Sequence, residues 1–310
     1  MDNIMLLTGT ANPDLANAIA QHLKVPLGAC VSERFPDGET AVRLLESVRQ
    51  KSVFIVQPTS PPVNDHLVEL MALSDACRRA AADRITAIVP YFGYARSDKS
   101  QGQREPITAS VVADVLQAVG VNHIVTVDLH SPQIEGFFRI PVDSLTAVPL
   151  LCDALRNHLP PDVVVVSPDT GRVEMATQYA HQLNSSVVVL HKQRKSGTET
   201  AVTHVVGDVR DRPCLMIDDM ISTGGTIARG IEALLEAGAR PDITIAVTHG
   251  LFIQNARAKL THDSIKAIFV TNTIAPSEPD WKQIQVVSIA PLIVTAIQRF
   301  QSNGSIRDLL

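Results

Sequence analysis

Short apolar runs alternate with stretches of helical periodicity along almost the whole chain. In the first half the runs are Ile4 to Leu7, Val53 to Val56, Ile85 to Val89 and Ile124 to Val127, each of strand length. Between them, Asn64 to Ala81 and Ile107 to Val119 repeat apolar residues at helical spacing. The second half follows the same plan, with Val163 to Val166, Val187 to Leu190, Leu215 to Ile217, Ile243 to Val247 and Ala267 to Val270. This twofold strand–helix alternation predicts an α/β fold with two mainly parallel sheets, each flanked by helices. Leu27 to Leu44 departs from it, reading as strand, turn and strand, and predicts a hairpin flap. The segment FFRIPVDSLTAVP interrupts the periodicity before the helix of LLCDALRNHL, which puts a domain boundary between Pro141 and Pro149. Ile289 to Phe300 reads as a helix that packs back on the first domain. The expected organisation is an N-terminal domain over residues 1–145 joined by residues 289–310, and a C-terminal domain over residues 146–288. The halves share a pattern but not enough letters to form a sequence repeat.

Composition narrows the class. A chain of 310 residues accommodates two domains of about 150 residues each. With 45% apolar residues, 19% charged and a net charge of −5, it reads as a folded soluble protein. The acidic balance and the lack of a Lys/Arg cluster argue against nucleic acid as a partner. Cys30, Cys77, Cys152 and Cys214 are scattered with no C-x-x-C pair, as in a reducing compartment. The start, MDNIMLLTGT, lacks a basic region and a long apolar core, and no run is long enough to span a membrane. The expectation is a cytoplasmic protein.

The chemistry concentrates at strand exits. Cys214 to Thr226 reads CLMIDDMISTGGT, an apolar strand leading to Asp218 and Asp219 and then to a helix start. Adjacent carboxylates suit a vicinal diol such as the 2- and 3-hydroxyls of ribose. Gly224 and Gly225 permit a tight turn with bare N–H groups, and Ser222, Thr223 and Thr226 add hydroxyls, a corner suited to a phosphate dianion. The bland alternative is an ordinary helix cap. Phe35 to Glu39 reads FPDGE, which is a hairpin turn or, with Phe35 against an adenine and Asp37 and Glu39 accepting hydrogen bonds, part of a nucleotide site. Tyr91 to Arg104 (YFGYARSDKSQGQR) follows a buried strand and carries Arg96, Asp98, Lys99 and Arg104 where nucleotide phosphates would sit; the alternative is a solvated loop. In TVDLH, Asp128 and His130 stand at a strand end and suit a divalent cation or its hydration shell. Magnesium fits phosphate chemistry, although imidazole is not its preferred ligand. VVVVSPDTG delivers Asp169 to a sheet edge, and VVVLHKQRK delivers Lys192 and Arg194, either a charged turn or an arm that closes over polyphosphate. No G-x-x-x-x-G-K-[ST] occurs, which excludes a P-loop ATPase.

The segment CLMIDDMISTGGT resembles the phosphoribosyl pyrophosphate signature shared by type I phosphoribosyltransferases and ribose-phosphate pyrophosphokinases. FPDGE, YARSDK, TVDLHSPQIEGFF, VSPDTG, HKQR and IDDMISTGGT stand in the order found in the ribose-phosphate pyrophosphokinases and cover nearly the whole chain. The resemblance implies two similar domains of the type I phosphoribosyltransferase kind. It implies transfer of the β,γ-diphosphoryl group of ATP to the C1 hydroxyl of ribose 5-phosphate, with Mg2+ as cofactor. It assigns Phe35, Asp37, Gly38, Glu39, Arg96, Ser97, Asp98 and Lys99 to ATP, and His130 and Asp169 to the metal. Lys192 and Arg194 are implied in catalysis, and Arg194, Asp218, Asp219, Ser222, Thr223, Gly224, Gly225 and Thr226 in holding ribose 5-phosphate. Relatives commonly assemble from dimers into hexamers regulated by phosphate and ADP, for which Ser47, Arg49 and Arg104 are the candidate positions. The chain departs from the common pattern at Ser97 and Ser100 in the arginine loop, at Ser222 where Asp is frequent, at Arg172 where a second glycine often follows SPD-x-G, and at Glu174 and Met175 where a basic pair is frequent. Two other readings compete: a catalytically silent regulatory homologue, and a phosphoribosyltransferase that would have no use for FPDGE or TVDLH.

Overall fold

The computed structural model describes residues 3–100, 102, 104–193, 202–278 and 280–310. The chain divides into two compact units, one comprising residues 1–146, 273–275 and 288–310, the other residues 147–272 and 276–287.

The first unit starts with β1 (Ile4–Thr8), α1 (Pro13–Leu23) and a hairpin of β2 (Cys30–Arg34) and β3 (Thr40–Leu44). Then come β4 (Ser52–Val56), α2 (Val63–Arg79), β5 (Arg84–Ile88), α3 (Thr108–Ala118), β6 (His123–Val127) and β7 (Val142–Leu145). Its five-stranded sheet has the order β1-β4-β5-β6-β7, parallel throughout. Parallel strands are covered on both faces, so they carry continuous apolar runs rather than alternating ones. Val53, Ile55 and Val56 are fully buried, and they join Leu70, Leu73, Ile85, Ala87 and Leu116 in the interior. Local chemistry sets the helix boundaries. Pro13 opens α1 with its fixed φ, and the Asn12 side chain accepts the Leu15 N–H at 3.2 Å. The flap expected over Leu27 to Leu44 is the β2–β3 hairpin, antiparallel, with Cys30 opposite Leu44 and Arg34 opposite Thr40. An ion pair of 2.6 Å from Arg34 to Asp65 ties it to the first turn of α2.

The second unit contains α4 (Val148–Leu155), β8 (Val164–Ser167), α5 (Val173–Leu183), β9 (Ser186–Gln193), β10 (Val202–Val206) and β11 (Cys214–Ile221). It continues with α6 (Gly225–Glu236), β12 (Ile243–Gly250), α7 (Ala256–Leu260), β13 (Ile265–Thr271) and β14 (Ile284–Val287), after which α8 (Ala290–Gln301) returns the chain to the first unit, where it packs on α1. The seven-stranded sheet runs β10-β9-β8-β11-β12-β13-β14, and only β10 is antiparallel to its neighbour. Val164, Val166, Met216, Ile245 and Leu234 are fully buried in its core.

The strand order of this sheet places the site. From β8 the chain moves outward to β9 and β10, then crosses back to lay β11 on the other side of β8. The carboxyl ends of β8 and β11 therefore flank a topological switch point, the crevice where open α/β sheets bind ligands. Three strands had no separate signal in the sequence pattern: β7, β10 and β14. They are edge strands of their sheets, and the residues of β14 are half-buried or exposed, so no buried apolar run marks them. Among the described residues, no helix is long and apolar enough to cross a membrane. The four cysteines are free thiols, and burial pushes those of Cys77, Cys152 and Cys214 up to about 12.

Candidate active site

The switch point of the second unit gathers the sugar signature. In the carboxyl-terminal half of β11, Asp218 is half-buried and Asp219 is buried, and Met220 and Ile221 complete the strand. The next residues turn sharply into α6. Gly224 adopts φ +72°, and a Cβ there would lie 3.1 Å from Leu260 Cγ, so both conformation and space call for glycine. Gly225 is the first residue of α6, and no side chain caps that end, which leaves the first-turn N–H groups directed out of the helix. The loop is braced from behind, because the Ile253 N–H donates to the Ser222 carbonyl at 3.1 Å. Two cations that the sequence reading did not single out stand beside it. Lys259 Nζ donates to the Thr223 carbonyl at 3.1 Å, and Arg229 brings a guanidinium nitrogen to 3.4 Å from where a Cβ on Gly225 would be. Arg229 lies four residues after Gly225 on one helix and was legible from that spacing; Lys259 comes from α7 and was not.

Across the crevice, β8 ends in the Asp169 turn. The Asp169 carboxylate accepts the Gly171 N–H at 2.9 Å, and its carbonyl accepts the Ser167 hydroxyl at 2.7 Å. The turn continues directly into Arg172. The Arg172 Nε lies 3.3 Å from Asp218 Oδ1, and its Nη2 lies 3.0 Å from Asp219 Oδ1. The Asp219 N–H also donates to Asp218 Oδ1, at 2.9 Å. Burial, reinforced by repulsion from the Asp219 carboxylate, pushes the Asp218 carboxyl well above the ordinary carboxylate range, and the Arg172 charge opposes that shift.

The nucleotide candidates lie in the first unit. FPDGE closes the β2–β3 hairpin: the Phe35 N–H donates to the Glu39 carbonyl at 2.9 Å, and Gly38 takes φ +94°. The turn reading and the ligand reading are compatible, since this turn leaves Phe35 54% exposed at the tip. After β5, Arg96 and Lys99 are exposed. Ser97 is engaged with the start of α3, its hydroxyl oxygen accepting the Thr108 N–H at 3.2 Å. Asp98 is buried, and its carboxylate accepts a hydrogen bond from the Gln133 amide at 2.6 Å. That bond ties the arginine loop to the segment following His130, which sits just past β6. Ser47, Arg49 and Arg104 are exposed, and the Arg49 N–H approaches the Ser47 hydroxyl at 3.4 Å.

Lys192 lies on β9 with its backbone paired to Thr203 of β10, while its side chain and the whole of Arg194 lie outside the described residues. Among the described residues, no group of three or more His, Cys, Asp or Glu side chains forms a ready-made metal cage. Magnesium does not need one, because it is commonly held by one or two carboxylates together with substrate phosphates and water, and the Asp169 carboxylate at the switch point suits that mode.

Two family models match the chain: the N-terminal domain of ribose phosphate pyrophosphokinase over residues 4–120, and a phosphoribosyl synthetase-associated domain over residues 197–310. Ribose-phosphate pyrophosphokinase of Corynebacterium efficiens is 42% identical, covering 99% of this chain and 95% of its own. That of Parasynechococcus marenigrum is 44% identical, covering 99% and 93%. The crystal structure of phosphoribosylpyrophosphate synthetase from Mycobacterium smegmatis superposes with a TM-score of 0.92 at 42% identity, covering 97% of this chain and all of the other.

Proposed function

The chain belongs to the ribose-phosphate pyrophosphokinase family, and from that membership we propose that it transfers the β,γ-diphosphoryl group of ATP to the C1 hydroxyl of ribose 5-phosphate. The products are 5-phosphoribosyl 1-pyrophosphate and AMP, and the role is in nucleotide biosynthesis. The observation that carries this reading is the switch-point crevice. There, one strand end delivers Asp218, Asp219 and the Ser222–Thr226 corner, and its neighbour delivers Asp169.

The 5-phosphate sits in the Ser222–Thr226 corner against the N-terminal amides of α6, with Arg229 and Lys259 adding positive charge nearby. The ribose hydroxyls donate to the Asp218 and Asp219 carboxylates, which orients C1 and its hydroxyl. The C1 oxygen attacks the β-phosphorus, the bond from that phosphorus to the α,β-bridging oxygen breaks, AMP departs, and the hydroxyl proton passes to solvent. Phe35 stacks on the adenine, with Asp37, Gly38 and Glu39 at the base edge; the exposed Arg96 and Lys99 supply the rest of the nucleotide site, on a loop that Ser97 and Asp98 hold in place through Thr108 and Gln133. Lys192, on β9, and Arg194 stabilise the charge of the transferring group, and Arg194 also serves ribose 5-phosphate. Mg2+ would be held by Asp169, with His130 the other position that the resemblance implies, and would supply neutralisation of phosphate charge. Catalysis is then mainly positioning and charge neutralisation, with no covalent enzyme intermediate.

The same reading gives a cytoplasmic enzyme that assembles from dimers into hexamers, with Ser47, Arg49 and Arg104 at a regulatory anion site. Incubating the purified chain with ATP, magnesium and ribose 5-phosphate, and following AMP by chromatography, tests the activity. AMP formation that requires ribose 5-phosphate is expected; none above background across a series of phosphate concentrations would overturn it.

A further inference from the structure

Two acidic side chains next to each other in sequence, both withdrawn from water, repel one another and lose hydration, so a fold that keeps them needs a counter-charge. Here the counter-charge is part of the chain. The Arg172 guanidinium spans both carboxylates, at 3.3 Å from Asp218 and 3.0 Å from Asp219. The three side chains are only 15%, 14% and 2% exposed. Arg172 is also well anchored. The Asp169 carboxylate caps the turn that precedes it, its N–H approaches the Asp169 carbonyl at 3.4 Å, and α5 begins at the next residue. A planar guanidinium offers donors in a fixed fork, which a flexible ammonium cannot reproduce.

We propose that Arg172 is a positioning residue for the acceptor sugar: it straps Asp218 and Asp219 into one charge-balanced pair that reads the vicinal hydroxyls of ribose 5-phosphate without a metal ion as counter-cation. The inference rests on the acceptor-site reading above and adds to it the residue that determines diol specificity. Without Arg172 the pair would carry its full charge in a poorly solvated crevice and face an incoming phosphate ester of the same sign. With it, the pair has one net negative charge and a fixed orientation.

The test is isothermal titration calorimetry on the full chain in EDTA, without ATP, using ribose 5-phosphate and 2-deoxyribose 5-phosphate. The native protein is expected to bind ribose 5-phosphate and to discriminate against the deoxy sugar. Arg172→Gln is expected to weaken ribose 5-phosphate binding by about tenfold to hundredfold, the range for a lost charged hydrogen bond, and to lose most of the discrimination. Arg172→Lys should keep more of the affinity but discriminate poorly; if thermal melting shows Arg172→Gln to be unfolded, this variant decides, and native discrimination in it overturns the proposal. Unchanged or tighter binding by Arg172→Gln overturns the proposal, as does equal weakening of both sugars, the signature of a purely structural role. Binding by the native protein only after magnesium is added overturns it too, because the metal then supplies the counter-charge. No binding with or without magnesium overturns the acceptor reading itself, an outcome distinct from all of these.

Discussion

Asp218→Asn removes one charge from a set of three whose side chains are largely withdrawn from water, and the structure gives the sign of the result. At an effective dielectric constant of about 20, charges at the 3.3 Å Arg172–Asp218 separation attract by about 5 kcal/mol. The adjacent Asp219 carboxylate returns repulsion of the same order, so the Coulomb terms nearly cancel and the desolvation of Asp218 decides. The folded chain accordingly binds a proton at Asp218 more tightly than the unfolded chain does. The stability gained from that proton is complete below the ordinary Asp value of about 3.9 and is lost as pH rises through the raised folded value. At neutral pH the ionised carboxylate weakens the fold. Asparagine keeps an oxygen to accept the Asp219 N–H and leaves Arg172 paired one to one with Asp219. The variant is expected to gain on the order of 1 kcal/mol at pH 7, a rise in Tm of at most about 2–4 °C, the shift for chains of 150–250 residues, while losing most of its affinity for ribose 5-phosphate. Differential scanning fluorimetry from pH 4 to pH 8 reads both the sign and the trend: the gap should close as pH falls towards 4. A lower Tm than the native protein at pH 7, or a gap that widens in acid, would refute the reasoning.

Three other substitutions separate the parts of the site. Phe35→Ala is expected to raise the KM for ATP several-fold with Tm unchanged, since the ring is exposed and supports no core; a fall in Tm with KM unaltered would make it a structural residue. Gly224→Ala puts a side chain at φ +72° against Leu260, so chemical denaturation should show a loss of about 1–3 kcal/mol, with a raised KM for ribose 5-phosphate. Lys192→Ala should cut kcat by orders of magnitude while calorimetric affinity for ribose 5-phosphate stays close to native, and equal loss of both would mark Lys192 as a ground-state binder.

What the sequence discloses depends on how local the determinant is. Interior strands such as Val164–Ser167 and Ile243–Gly250 are read from their apolar runs because both faces are buried. Ile284–Val287, an edge strand with Val286 47% exposed, has no such pattern. The Ser222–Thr226 corner is legible for a similar reason, since its strand, turn and helix lie in one segment and Gly224 states its backbone conformation directly. Arg172 reads only as an irregularity after SPD-x-G, because its meaning depends on β11 folding beside β8. Ser97 and Asp98 make the complementary point: a motif letter does not reveal that one side chain caps α3 and the other holds Gln133.

Arg172 and Ser222 are best understood together. Set against the pattern that the family resemblance implies, Ser222 stands where a negative charge is frequent and Arg172 where a glycine is, so both departures would make the acceptor crevice less acidic. If they act on one electrostatic balance, restoring a carboxylate at position 222 should be tolerated while the guanidinium is present and costly once it is gone. Ser222→Asp alone is then expected to raise the KM for ribose 5-phosphate modestly. In the Arg172→Gln background it should do so by clearly more, giving a coupling energy above about 0.5 kcal/mol, the level at which interacting sites depart from additivity. Steady-state kinetics on the native protein, both single variants and the double variant closes this cycle. Additive effects would mean that the two departures are independent, and that Ser222 serves only the phosphate corner rather than the charge balance of Asp218, Asp219 and Arg172.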